Sequence, residues 1–136
     1  MRRRAFLAGA GAAAVALLAG CTATGLSDDE FDVEMYSNRF DPVEFEATAG
    51  DEVVWGNTGS RPHTITAYDD GIPEDAAYFA SGGFDSQDAA EANWPDQGGI
   101  ASGETYSHTF ETPGRYDYYC IPHLPAGMEG TVIVSE

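Results

Sequence analysis

The chain has 136 residues and a formal net charge of −17, because 23 acidic residues stand against six arginines and no lysine. This balance excludes nucleic acid as a partner, since phosphate binding requires clustered positive charge. Hydrophobic residues make up 43% of the chain and aromatic residues 12%, which is enough apolar material for one small folded domain.

The N-terminal residues have the features of an export signal. Three arginines at 2–4 precede an apolar run over 5–20 that is too short to span a bilayer. The run opens on a pattern that resembles a twin-arginine signal, and Leu18-Ala19-Gly20-Cys21 resembles a lipobox, whose cysteine is lipidated. We therefore predict a twin-arginine-type lipoprotein signal peptide over 1–20. The protein is expected to be exported and lipid-anchored through Cys21 to the outer face of the cell membrane.

Residues 21–30 are small, polar and acidic, which predicts a tether between the membrane and a domain over 31–136. A chain that begins at Cys21 carries three arginines against 23 acidic residues, a net charge of −20. Two interpretations of the other cysteine, Cys120, stay open. It forms a disulfide with Cys21, or it is a free thiol that an oxidising compartment tolerates only because it has a function.

Short runs of alternating apolar and polar residues, each bounded by turn residues, follow the tether. Such period-2 patterning without a long helical stretch predicts an antiparallel β-sandwich of about seven to eight strands. The runs cover 31–36, 43–47, 52–55, 63–68, 105–110, 115–120 and 131–134.

Residues 69–103 interrupt the strand pattern with two Gly-Gly pairs and little alternation. We expect a long excursion from one end of the sandwich, with a short helical turn near 85–92. The aromatic residues Phe79, Phe84 and Trp94 are expected to hold the excursion against the domain.

Potential metal ligands are concentrated near the C-terminus, where Cys120, His123 and Met128 have the spacing C-x2-H-x4-M. A further histidine, His63, begins a predicted strand upstream. One thiolate, two imidazoles and a weak thioether are the ligand set of a blue-copper electron-transfer site. A structural zinc site would favour more Cys and His and would seldom use Met. We expect His108, which lies within a predicted strand, to be a packed or partly exposed histidine rather than a ligand.

At these residues the domain resembles the plastocyanin-type cupredoxins, and most closely the halocyanins of halophilic archaea. The resemblance covers residues 31–136 and implies an all-β, Greek-key cupredoxin-like sandwich. It rests on the ligand loop and on Asn38-x-Phe40-x-Pro42, Ala49-Gly50-Asp51-x-Val53-x-Trp55-x-Asn57, Pro62-His63-Thr64, Gly103-Glu104-Thr105-Tyr106 and Thr112-Pro113-Gly114-x-Tyr116-x-Tyr118-Tyr119-Cys120.

The resemblance implies one type 1 copper ion, bound by His63, Cys120, His123 and Met128. Plastocyanins commonly have Asn after the first histidine ligand, whereas this chain has Thr64, which puts the hydrogen bond of that side chain in doubt. The backbone N–H of Thr64 remains available to the Cys120 sulfur.

The resemblance also implies a route for the electron. An apolar patch around His123 is expected to meet redox partner proteins of a membrane electron-transport chain in brief encounters. The expected patch residues are Ile121, Pro122, Leu124, Pro125 and Ala126. Pro122 and Tyr119 are also expected to contact the ligands, and Tyr119 is either a second electron route or a core aromatic residue. We expect a monomer.

Three other classes of function fit the sequence less well. A copper-storage or copper-delivery protein would be richer in Met or Cys than this chain, which has three Met and two Cys. A copper enzyme would need an open coordination position or a second copper centre. An immunoglobulin-like adhesion module would not account for the ligand loop. The sequence therefore favours a single-electron carrier that is not an enzyme.

Overall fold

The computed structural model describes residues 26–136, so the predicted signal peptide and Cys21 lie outside the described residues. Within this range the chain forms eight strands and one α-helix, together with short 3₁₀ turns. In chain order the elements are β1 (Val33–Tyr36), β2 (Arg39–Asp41), β3 (Glu44–Thr48), β4 (Glu52–Asn57), β5 (Thr66–Ala67), α1 (Gln87–Asn93), β6 (Thr105–Thr109), β7 (Gly114–Tyr119) and β8 (Glu129–Ser135). Across 26–136, no helix has both the length and the apolar character to cross a membrane.

The strands form two four-stranded sheets, in the orders β2-β1-β4-β6 and β3-β8-β7-β5. This arrangement confirms the predicted all-β sandwich. The prediction of purely antiparallel pairing is wrong in two places, since β1 runs parallel to β4 and β3 runs parallel to β8. The chain crosses from one sheet to the other between β2 and β3, so β3 reaches its partner without a hairpin.

The core lies between the sheets and is built largely from aromatic side chains. Trp55 of β4 is fully buried, and its indole N–H donates to the hydroxyl of Tyr118 of β7 at 3.0 Å. The Phe40 ring meets the Tyr118 ring edge-on, with centroids 4.7 Å apart. Because these residues belong to opposite sheets, their contacts fix how one sheet sits on the other.

Two strands differ from the sequence prediction. β2 was not predicted, because its three residues have only Phe40 buried between two exposed neighbours. The predicted strand over 63–68 is reduced to β5, while His63 forms an isolated bridge with Ile100. The reason is that residues of the excursion, rather than a neighbouring strand, pair with the first part of this run.

The excursion folds against the domain as expected. Its helix α1 begins after Ser86, whose hydroxyl accepts the N–H of Ala89 at 3.1 Å, a typical N-cap. Phe79 is 2% exposed and belongs to the core, whereas Phe84 and Trp94 are half-buried. The aromatic residues thus hold the excursion in place, with Phe79 the most deeply inserted.

The last part of the predicted tether has regular structure. Asp28–Glu30 form a 3₁₀ turn that Ser27 begins, with its N–H bonded to the Glu30 carboxylate at 2.9 Å. A Cβ atom on Gly56 would stand 2.7 Å from the Phe31 ring and 2.8 Å from Leu26. Glycine at this position therefore lets the side chains of Leu26 and Phe31 pack closely against β4.

Candidate metal centre

Cys120 lies at the point where β7 ends, and the pairing of β7 with β8 closes the loop that follows it. The backbone N–H of Cys120 donates to the carbonyl of Met128 at 3.1 Å. Between them, Ile121–Ala126 form a 3₁₀ turn that ends at Gly127, whose φ of 88° is in the left-handed region that favours glycine. The loop thus has a backbone conformation that its own hydrogen bonds maintain.

His63 reaches the same end of the sandwich from a different part of the chain. Its backbone N–H donates to the carbonyl of Ile100 at 3.1 Å and its carbonyl accepts the N–H of Ile100 at 2.8 Å. The side chain of His63 is fully buried. The excursion therefore determines the position of a predicted ligand through two backbone hydrogen bonds.

The predicted nitrogen and sulfur ligands converge on one point. The Sγ atom of Cys120 lies 3.6 Å from Nδ1 of His63 and 3.3 Å from Nδ1 of His123. A first-row metal with ligand bonds of about 2.0–2.3 Å holds neighbouring N and S ligand atoms about 3.5 Å apart in a tetrahedral or trigonal site. The observed distances fit a single small metal ion between these three side chains.

Met128 completes the predicted set at the end of the loop. Its side chain is fully buried and lies near the two histidines and the cysteine. The backbone N–H of Met128 donates to the carbonyl of His123 at 3.3 Å, so these two residues occupy fixed positions within one loop. A thiolate, two imidazoles and a thioether in one buried cluster suit a copper ion better than zinc or a hard cation.

Burial determines the protonation of the metal-free cluster. It lowers the pKa of His63 to about 4, with a smaller contribution from the charge of His123. Burial also lowers the pKa of His123, and the positive charge of Arg61 lowers it further. The pKa of the Cys120 thiol is raised by burial against the opposing effect of the Thr64 N–H. The imidazoles are thus neutral and ready to bind, whereas a bound metal must displace the thiol proton.

Thr64 connects the two segments that carry the predicted ligands. Its backbone N–H lies 3.4 Å from Sγ of Cys120, as the sequence led us to expect. Its hydroxyl oxygen accepts the N–H of Ile121 at 2.8 Å. The side-chain hydrogen bond that Thr in place of Asn put in doubt is therefore present, made by a hydroxyl.

Tyr119 occupies a core position. It is 1% exposed, its ring stacks on Tyr68 with centroids 4.5 Å apart, and its hydroxyl contacts Glu91. Gln87 of α1 donates a further hydrogen bond to this hydroxyl at 3.3 Å. Tyr119 thus packs as a core aromatic residue that the excursion covers, and its use as a second electron route stays a prediction.

The residues of the predicted apolar patch all lie in the 3₁₀ turn of the ligand loop. Ile121, Pro122 and Leu124 are half-buried, and Pro125 and Ala126 are exposed. His123, in the same turn, is 9% exposed. These residues are therefore close together in the chain and next to His123, and their role as a partner surface stays a prediction.

His108 does not belong to the cluster. Its ring stacks on Phe79 with centroids 4.7 Å apart and meets Phe110 edge-on. The cluster contains His63, Cys120 and His123 as its nitrogen and sulfur donors. The prediction that His108 is a packed histidine is confirmed.

Comparison with known proteins agrees with this fold and this site. Residues 28–135 match the family described as copper binding proteins of the plastocyanin/azurin family, and the chain belongs to this family. It is thus a blue copper cupredoxin, an electron carrier rather than an enzyme, and its cofactor is copper.

Two plastocyanins illustrate the relationship. The chain is 37% identical to plastocyanin of Vicia faba over 97 residues, which is 71% of this chain and 87% of the relative. It is 33% identical to a chloroplastic plastocyanin of Hordeum vulgare over 130 residues, or 93% of this chain and 76% of the relative. Among solved structures, amicyanin from Paracoccus versutus matches with a TM-score of 0.55 at 29% identity. That match covers 81% of this chain and 85% of the amicyanin.

Proposed function

We propose that this protein carries single electrons by means of one type 1 copper ion bound by His63, Cys120, His123 and Met128. The observation that carries the proposal is the approach of both imidazole Nδ1 atoms to the Cys120 sulfur, at 3.6 and 3.3 Å. Copper bound there would supply reversible exchange between Cu(I) and Cu(II).

The surrounding residues favour a site whose geometry stays the same in both oxidation states. His63 and Cys120 are fully buried, which keeps water from adding as a further ligand. The loop from Cys120 to Met128 is closed by its own backbone hydrogen bonds. A closed, dry site of this kind favours electron transfer over copper delivery, because delivery requires the metal to leave easily.

Redox partners would approach through the patch formed by Ile121, Pro122, Leu124, Pro125 and Ala126. This surface adjoins His123, which at 9% is the most exposed residue of the donor cluster. A small apolar contact suits brief encounters, because a carrier must release each partner after the electron has passed. The partners we propose are proteins of a membrane electron-transport chain, and the carrier acts as a monomer.

We further propose that the protein is of the halocyanin type and works at the outer face of the cell membrane, anchored through a lipid on Cys21. The twin-arginine and lipobox patterns support this, as does the charge of −20 that remains after residue 20. A Cys21→Ser variant tests the anchor. We expect the variant to be released from the membrane with its copper site intact, whereas retention on the membrane would contradict the lipid anchor.

Visible absorption of the copper-loaded protein tests the ligand assignment. We expect an intense thiolate-to-copper band that bleaches reversibly with reductant and is lost in Cys120→Ser. Met128→Leu should shift the band or the reduction potential, whereas Met35→Leu should shift neither. Met35 is a matched control because it is equally buried but lies in β1. A Cys120→Ser variant that keeps the band would refute the blue-copper site.

Kinetics of electron exchange with membranes of the native host test the patch. We expect Leu124→Asp to slow the exchange while the copper band stays unchanged, because a buried carboxylate at the contact must be desolvated. Val43→Asp is the matched control, since Val43 is 60% exposed and lies outside the ligand loop. Equal exchange rates in the two variants would remove the patch from the mechanism.

A further inference from the structure

Asn57 ends β4 and belongs to a sequence motif whose role the copper ligands do not explain. It alternates with Val53 and Trp55, the core residues of the strand, and its side chain is fully buried. A position of this kind ordinarily holds an apolar residue, because a buried amide needs partners for two N–H donors and one oxygen acceptor. The partners of the Asn57 amide therefore indicate what it does.

The amide of Asn57 is fully satisfied by backbone groups of two other segments. Its Nδ2 atom donates to the carbonyls of Arg61 and Ile100, both at 2.8 Å. Its Oδ1 atom accepts the backbone N–H of Gly59 at 2.9 Å. Because the carbonyls only accept and the N–H only donates, the partners determine which side of the amide carries the oxygen.

The bonds to Gly59 and Arg61 fix the turn that leads from β4 to His63. The contact between Oδ1 and the Gly59 N–H closes the beginning of this turn, and the contact with the Arg61 carbonyl closes its end. Pro62 separates Arg61 from His63, and its ring fixes the backbone φ angle at about −65°. The backbone that enters His63 therefore has little conformational freedom.

The bond to Ile100 fixes the other side of His63. The same Ile100 carbonyl accepts the backbone N–H of His63 at 3.1 Å, so one oxygen joins the Asn57 amide to the ligand backbone. The backbone of Asn57 also pairs with the end of the excursion. Its N–H donates to the Glu104 carbonyl at 3.0 Å, and its carbonyl accepts the Gly103 N–H at 2.8 Å. Asn57 thus ties His63 both to the turn before it and to the excursion beside it.

We propose that Asn57 is a positioning residue for copper, whose two side-chain N–H donors hold His63 in the place that the metal requires in both oxidation states. The proposal rests on copper ligation by His63. The amide acts through the backbone on either side of this ligand, since its hydrogen bonds go to backbone groups. It thereby maintains the 3.6 Å separation between Nδ1 of His63 and the Cys120 sulfur.

NMR of the metal-free protein tests the hydrogen bonds without copper. In wild type, the side-chain N–H hydrogens of Asn57 should exchange with solvent far more slowly than those of Asn38, which is exposed. Asn57→Asp keeps the shape and the oxygen but at most one donor. The backbone N–H hydrogens of His63 and Ile100 should exchange about tenfold faster or more in this variant. Equal exchange of the two asparagine side chains, or an unchanged rate at His63 and Ile100, would overturn the proposal.

Copper binding distinguishes positioning from a general loss of stability. We expect Asn57→Asp and the milder Asn57→Ser to bind copper about 10–100-fold more weakly and to change the relative intensities of the visible bands. Val134→Ala is the matched control. Val134 is 3% exposed and pairs with Gly114, at the end of β7 opposite Cys120. The control should lose stability but keep the affinity and the spectrum. A wild-type spectrum in both Asn57 variants, or the same spectral change in Val134→Ala, would overturn the proposal.

The ligand set and the role of Asn57 fail in different ways. A wild-type protein without the blue absorption band contradicts the ligand set, whereas a normal band that the Asn57 variants keep contradicts only the positioning role. Electron self-exchange of the copper-loaded protein gives the functional readout. It should be slower in Asn57→Ser than in Val134→Ala, because a less firmly held His63 moves more when copper changes its oxidation state. Equal self-exchange rates would also overturn the proposal.

Discussion

The hydroxyl of Thr64 is a small link between the two segments that carry the copper ligands, and its contribution to stability can be measured. The oxygen accepts the Ile121 N–H at 2.8 Å and the Thr66 hydroxyl at 3.2 Å. Thr64 itself is 1% exposed. Thr64→Val keeps the branched shape of the side chain and removes the acceptor, so the Ile121 N–H loses its partner.

The magnitude follows from the burial of the groups involved. An unsatisfied buried N–H costs about 1–3 kcal/mol, and we expect about 1–2 kcal/mol because Ile121 is only half-buried and water reaches it in part. In a domain of this size, about 1 kcal/mol corresponds to about 4 °C in the unfolding midpoint, so Thr64→Val should lower it by about 4–8 °C.

Thermal unfolding of the metal-free protein, followed by circular dichroism, measures this effect. Thr64→Ser is the control, because it keeps the oxygen and should unfold close to wild type. The copper-loaded variant should keep its absorption band, since the N–H that lies 3.4 Å from the Cys120 sulfur belongs to the backbone. An unchanged midpoint in Thr64→Val would refute the reasoning. Equal loss in both variants would also count against it, because Thr64→Ser keeps the acceptor oxygen and Thr64→Val keeps the methyl group.

Three other outcomes follow from the structure. The metal-free protein should lose stability as the pH falls from 6.5 towards 4, by at most about 3 kcal/mol from His63, because the unfolded chain binds a proton there that the buried imidazole does not. Urea unfolding at several pH values measures this loss. It would be contradicted by a His63→Gln variant whose free energy of unfolding falls with pH as steeply as that of wild type. Tyr118→Phe leaves the buried Trp55 N–H without its acceptor and should cost about 1–3 kcal/mol. In the Tyr118→Phe background, Trp55→Phe should lower the free energy of unfolding by less than it does in wild type. If urea unfolding shows the two losses to be simply additive, the hydrogen bond between Trp55 and Tyr118 does not contribute to stability. Transfer from molar to millimolar salt should lower the unfolding midpoint, because the net charge of −20 after residue 20 repels itself when screening is lost. A midpoint that is independent of salt would mean that this repulsion is negligible.

The sequence alone predicted those features that depend on residues close together in the chain. Cys120, His123 and Met128 share one short loop, so their spacing alone indicates a joint site. The longer alternating runs also predicted their strands, because one face of each is buried. The sequence did not predict β2, because a strand of three residues is too short to show a clear alternation of apolar and polar residues.

Contacts between distant segments could not be predicted in the same way. Thr64 and Ile121 are 57 residues apart, and no pattern in either segment indicates that a hydroxyl there accepts a backbone N–H. The position of His63 depends equally on backbone hydrogen bonds with Ile100, which is 37 residues away in the chain. In both places the sequence supplied the correct residue types, and only the structure shows which atoms meet.

The excursion over 69–103 has a larger part in the copper centre than its irregular sequence indicates. Ile100 fixes the backbone of His63 through two hydrogen bonds, and Ser81 N–H donates to the carbonyl of Ile65 at 2.7 Å. The Ser81 hydroxyl also accepts the Ile65 N–H at 3.1 Å. The segment that contains His63 is thus held by the excursion on both sides of Thr64, while β7 and β8 hold the cysteine loop. The two halves of the donor set are thus positioned by different parts of the chain. They are joined by the pairing of β5 with β7 and by the hydrogen bonds that Thr64 makes with Cys120 and Ile121.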